Sequence, residues 1–224
     1  MTTLDRAPSE VGATAGRRST WALWGTAAGV CGVTANMLTQ PSLTEAQRQE
    51  GFDGVFDGLS RGSYHLGAVA GFLAVACLLL FAAGFSRWAQ RQASDSLALR
   101  ATPLALVASA GALIASYGVK GQLAAYLDGG FNEASYPDRE VYVYYLLDDL
   151  AGWFSWWGVA VAAACIAWLS FRERLVVRWV GGLAVLAALA PVGFLVAFGF
   201  TGYAGVITPV FLVLAGIGMA LRRE

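Results

Sequence analysis

Apolar residues along the chain fall into six long runs, separated by shorter stretches that hold nearly all the charge. The runs cover about 21–38, 64–85, 102–122, 150–171, 177–198 and 202–221. Each is close to the roughly 20 residues that an α-helix needs to cross about 30 Å of hydrocarbon at 1.5 Å per residue. In lipid the backbone must pair internally, so runs of this length span as helices. The ten-residue alternation of a membrane β-barrel is absent. Only residues 199–201 separate the last two runs, which predicts a tight antiparallel hairpin. Pro191 and Pro209 lie inside those two runs and are expected to loosen or kink them, because proline removes a helical N–H donor.

Residues 1–20 are polar, end in Arg17-Arg18, and predict a disordered tail. The basic stretch before the first run resembles a signal peptide. Val30 stands before Cys31, however, where a lipoprotein signal usually wants a small residue, so an uncleaved first span is expected.

Composition sharpens the membrane reading. Apolar residues make up 57% of the chain and charged ones 13%, against about 45–50% and 25% in soluble domains. A soluble protein of this size needs more charge to cover its surface. The formal net charge of zero hides an asymmetry. Assigning alternate loops to opposite sides puts eleven of the 15 basic residues on one side (Arg6, Arg17, Arg18, Arg87, Arg91, Arg100, Arg172, Arg174, Arg178, Arg222, Arg223). Arg48, Arg61, Lys120 and Arg139 fall on the other, and the carboxylates run the opposite way. The positive-inside rule then places both termini in the cytoplasm, and an odd number of spans would spoil the alternation. The expected fold is all-α: a polytopic bundle of six transmembrane helices over 21–221, N-in and C-in, in a bacterial cytoplasmic (inner) membrane.

Aromatic residues fit interfacial belts. Trp21, Trp24, Trp88, Trp168 and Trp179 are expected at the inner boundary, and Trp153, Trp156 and Trp157 at the outer one. All eight tyrosines fall in the outer half or outer loops, and Tyr142-x-Tyr144-Tyr145 is denser than a belt requires. Two outer loops, about 39–63 and 123–149, carry most of the polar mass. No internal repeat is present, although a transporter built from inverted repeats would show matched loops and broken helices.

Candidate chemistry is confined to the outer side. Gly25, Gly29, Gly32 and Asn36 share one face of the first helix, where small residues let neighbouring backbones approach. Ser109, Ser116 and Lys120 form such a face on the third helix, and Asp148, Gly152 and Ser155 on the fourth. His65, the single histidine, opens the second helix at the same level. Asn36, His65, Lys120, Asp148 and Asp149 are therefore the candidate ligand-binding residues of an outer polar pocket, since ionisable groups in spans are costly and suggest a use. A Lys120–Asp148 pair tying two helices together, with Lys120 snorkelling and the aspartates at a helix start, satisfies the same pattern. Lys120 and Asp148 are expected to face each other, or to share a ligand, inside the bundle. Gly67-x-x-x-Gly71 predicts close packing within the chain, or between copies of it.

Several chemistries are excluded by motif. No HExxH occurs and no second histidine completes a zinc site or a histidine pair for haem. There is no GxSxG turn and no phosphate-cradling loop. Asp148 and Asp149 are helix neighbours pointing about 100° apart, so they cannot form a facing dyad. Cys31, Cys77 and Cys165 lie in apolar runs and fit helix packing better than disulfides or metal. No metal, cofactor or nucleic-acid partner is expected; the bilayer is, along with a membrane-protein partner or a second copy.

The six-run layout, the Asp148-Asp149-Leu150-Ala151-Gly152-Trp153 entry and the Arg174-x-x-x-Arg178-Trp179 turn resemble uncharacterised bacterial, chiefly actinobacterial, multi-pass membrane proteins. The resemblance implies a membrane bundle and brings no assigned activity or site residue. The expected function is a non-enzymatic accessory or interaction protein. The alternatives are a small-solute transporter or binding protein using the outer cluster, and a lipid- or quinone-modifying enzyme.

Overall fold

The apolar runs fold as helices, and among the described residues all regular structure is helical. A computed structural model describes residues 20–40, 55–56, 58–92, 94–133 and 135–221. The expected tail, apart from Thr20, lies outside these residues, as do Arg48, Arg222 and Arg223. The helices are α1 (Leu23–Leu38), preceded by a 3-10 turn at Thr20–Ala22, α2 (Arg61–Ala89), α3 (Leu97–Tyr126), α4 (Asp138–Phe154), α5 (Trp157–Phe171), α6 (Arg178–Phe198) and α7 (Tyr203–Ala220). Five units are long and apolar enough to cross a membrane, with α4 and α5 counted as one, Arg139–Phe171. By these helices the chain is an all-α multi-pass membrane protein. Leu66, Leu73, Leu80, Leu104, Leu189 and Val196 stay exposed on the outside of the bundle, an apolar coat suited to lipid.

The fourth run departs most from expectation. Its helix begins at Asp138, not near 150, so the tyrosine-rich segment is helical. Pro137 sets an extended entry, and Glu140 adds negative charge to the first turn, where the helix dipole favours it. The helix then breaks at Ser155 and Trp156. Ser155 Oγ donates back to the Ala151 carbonyl at 2.7 Å, a local bond that bends helices. The Val159 N–H turns to the Trp156 carbonyl at 2.9 Å, and the Ser155 carbonyl accepts the Ser109 hydroxyl of α3 at 2.6 Å. The broken backbone is thus satisfied from a neighbouring helix, as a membrane interior demands.

Neighbours form a closed ring: α1 packs on α2 and α7, α3 on α2, α4 and α5, and α6 on α5 and α7. Close approach needs glycine at several helix contacts, two of them against large buried rings. A Cβ on Gly71 would stand 2.3 Å from the Tyr117 ring, and one on Gly32 2.5 Å from the Trp156 indole. Both rings are fully buried. Trp156 is therefore a core residue and not the belt residue expected, because the break at Ser155 turns it inward and Gly32 makes room. Gly67 and Gly71 both pack within the chain, against α1 and Tyr117.

At the end carrying the 90–96 and 172–177 connections, Trp24, Trp168 and Trp179 remain exposed. Trp21 instead stacks on Phe81 at 5.6 Å and joins Phe85 and Trp88 in an aromatic cluster. Ser96 caps α3 and, with Ser94, donates to the Glu173 carboxylate, which ties the two connections together. The α6–α7 hairpin turns through Gly199, whose φ of 67° suits glycine. Beyond it Phe194 and Tyr203 stack at 3.6 Å, so these helices pack beside each other.

Candidate functional site

At the opposite end of the bundle, α3 and α4 place Lys120 and Asp148 opposite each other. Lys120 Nζ donates to Asp148 Oδ2 at 3.0 Å, and the side chains are only 3% and 5% exposed. The expected facing pair is present. Its surroundings follow from α1 and α2. Thr39, just past α1, donates its hydroxyl to the Ala35 carbonyl at 3.0 Å, leaving its oxygen free to accept from Lys120 Nζ. Tyr64, in the first turns of α2, holds its ring 5.6 Å from the ammonium, within reach of a cation–π attraction. Carboxylate, hydroxyl and ring thus surround a group with three N–H donors. Asp148 is less well served. Its Oδ1 is buried without a hydrogen-bond partner, and an orphaned acceptor in such a place is costly.

Asn36 has a structural task. Pro209 supplies no N–H to the Gly205 carbonyl four residues earlier in α7. Asn36 Nδ2 donates to that carbonyl at 3.2 Å. Its Oδ1 points towards α4, 3.7 Å from where a Cβ on Gly152 would stand.

These residues border a cavity of about 330 Å³. Asn36, Lys120, Asp148 and Asp149 all line it, with Asp149 exposed and Asp148 buried, as their angular separation on α4 requires. Aromatic walls come from Tyr64, Tyr145, Trp153, Phe200 and Tyr203. One and two turns deeper, Tyr117 and Trp156 are fully buried and do not border the cavity. Among these packed groups, Ser116 Oγ, Tyr117 OH and Trp156 Nε1 also lack hydrogen-bond partners.

His65 does not join the others. It is exposed on α2 and does not border the cavity; Tyr64, one residue earlier and rotated by a helical step, takes the inward position. Thr39 and Tyr64 were not among the expected site residues. Thr39 lies three positions after Asn36, on the same helical side, and that spacing was the available signal. Tyr64 had a comparable one, since it stands three and seven positions before Gly67 and Gly71, on the same helical face. Among the described residues no three His, Cys, Asp or Glu side chains come together as a metal site. No protein-family model, no curated protein and no solved structure matches the chain.

Proposed function

We propose that the chain is a non-enzymatic, multi-pass membrane protein that binds a small solute in the cavity over Lys120 and Asp148. The observation that carries this reading is an aromatic-walled cavity with a buried ion pair at its base, packed shut below by Tyr117 and Trp156. A permeation path would continue past that level. An enzyme using His65 would need it at the cavity, and it faces elsewhere. The cavity opens towards the extracytoplasmic side of a bacterial inner membrane. Supporting this, Arg87, Arg91, Arg100, Arg172, Arg174 and Arg178 crowd the other end, where the positive-inside rule puts the cytoplasm. In the same reading α1 is a sixth crossing. Its 16 residues rise about 24 Å, and the 3-10 turn adds about 6 Å.

The test is thermal unfolding of the protein in nanodiscs, followed by circular dichroism, against amines, amino acids, sugars, organic acids and lipid headgroups. One chemical class should raise the unfolding temperature saturably, by about 2.7 kcal/mol of stability at a hundred times Kd. Val206→Trp, which fills the cavity from its wall, should abolish the shift. If no class stabilises the native chain, the ion pair is a clamp between helices and the binding reading fails.

A further inference from the structure

We infer that the solute is an organic cation bearing N–H donors, a primary or secondary ammonium. This rests on the cavity reading above and adds the ligand's chemistry to it.

The first argument counts donors and acceptors. Lys120, the one cation bordering the cavity among the described residues, already gives its ammonium to Asp148 Oδ2 and Thr39 and lies over Tyr64. Asn36 has committed its amide N–H to Gly205. Gln40, Trp153 and Tyr203 also bring donors to the lining, but the buried unpaired atom at the cavity is an acceptor, Asp148 Oδ1, and Asn36 Oδ1 beside Gly152 and the exposed carboxylate of Asp149 add further accepting capacity. A guest that brings only acceptors would leave these groups unpaired, and an unpaired buried acceptor costs more than a made hydrogen bond returns.

Charge points the same way. With Lys120 neutralised by Asp148, the Asp149 carboxylate leaves the described lining one negative charge in excess. An anion would enter beside two carboxylates, with the cation of the lining already paired to one of them. The walls agree, because Trp153, Phe200 and Tyr203 line the cavity, and aromatic rings attract cations, more strongly when water is excluded. Tyr203 is held in place by its stack on Phe194. The excess negative charge gives a neutral sugar no advantage and disfavours a carboxylate. The same ammonium chemistry is offered by a free amine and by an aminated lipid headgroup.

The experiment measures thermal shifts of the full chain in phosphatidylcholine nanodiscs with n-butylammonium, its neutral analogue n-butanol, the anion butyrate, and tetramethylammonium. A second arm replaces part of the lipid by phosphatidylethanolamine. Butylammonium should stabilise saturably, with butanol, butyrate and tetramethylammonium each much weaker. Asp149→Asn should weaken butylammonium about fivefold, on the scale of a partly exposed ion pair, and Val206→Trp should remove its effect. A shift from phosphatidylethanolamine without one from butylammonium supports the ammonium class and makes the source a lipid. Equal or better binding of butanol, butyrate or tetramethylammonium overturns the N–H cation while leaving the cavity a binding site. If neither these compounds nor the wider panel shifts the native chain, both readings fall.

Discussion

Two ion pairs, at opposite ends of the bundle, show how differently the same chemistry behaves when its surroundings change. Arg100 and Asp95 meet with side chains 72% and 87% exposed. Lys120 and Asp148 meet with side chains 3% and 5% exposed. At the first, water solvates both charges whether or not they touch, so contact adds about 0–1 kcal/mol. At the second, neither charge has bulk water to fall back on. Losing one partner then strands the other, at about 3–5 kcal/mol. Burial decides the energetics here. It also decides what each site can do: both pairs border a cavity, but only at Lys120–Asp148 are the charges themselves out of bulk water.

The largest expected effect is therefore Lys120→Ala, which leaves Asp148 with both oxygens unpaired. It should lower stability by about 3–5 kcal/mol in detergent unfolding, with Asp148→Asn restoring part of the loss. A change below about 1 kcal/mol would mean that water reaches the pair, and the contrast with Arg100–Asp95 would collapse. A sharper version removes both charges. Lys120→Met with Asp148→Leu should be neutral or more stable by about 1–4 kcal/mol, because buried pairs repay their desolvation poorly. Strong destabilisation of that double variant would show the pair to be the chief tie between α3 and α4. On the proposed function, the same variant should unfold normally and bind no ammonium.

The next effect tests whether polar bonds in the bundle interior act as repairs. Asn36 answers a carbonyl that Pro209 leaves without a donor. Asn36→Ala should cost about 1 kcal/mol, within the range for interhelical hydrogen bonds in membranes. In Pro209→Ala, α7 regains its own N–H and the Asn36→Ala cost should largely vanish. A double-mutant cycle reads this directly as a coupling of about 1 kcal/mol. Additive costs would show that Asn36 serves some other purpose.

Much of this architecture was legible in the sequence, and the exceptions have two physical origins. Hydrophobic length located α2, α3, α6 and α7 to within a few residues, because crossing distance is a one-dimensional property. The facing of Lys120 and Asp148 was legible too, since each extends a face of small residues, and small residues mark where helices meet. What failed first was angular phase. His65 and Tyr64 differ by one helical step, and which turns inward depends on Gly67 and Gly71 seating α2 against α1 and Tyr117. Trp156 resembled a belt residue until the break at Ser155, closed by Ser109 on another helix, carried it into the core. The amphipathic start of α4 was read as loop because its charges and tyrosines masked the helical period of Val141, Tyr145 and Asp148. The first two misses concern a choice made by a partner helix, and the third a helical period hidden by the segment's own polar residues.

The smallest expected effect lies at the exposed pair, and it tests whether proximity of charges alone matters. Arg100→Ala should change stability by less than about 0.5 kcal/mol at low salt, and by nothing measurable at high salt, where screening leaves little for the pair to lose. A second reason makes the loss small. Asp95 directly precedes Ser96, the cap of α3, so its carboxylate stands beside the positive end of the helix dipole whether or not Arg100 is present. Ser96 is the useful control at this end of the bundle. Its hydroxyl accepts the Ala98 N–H and donates to Glu173, so Ser96→Ala should cost about 1 kcal/mol, the usual value of a lost cap. Should Arg100→Ala prove as damaging as Ser96→Ala, solvent exposure would not be what separates the two ion pairs, and a cavity would not separate them either, since each pair borders one.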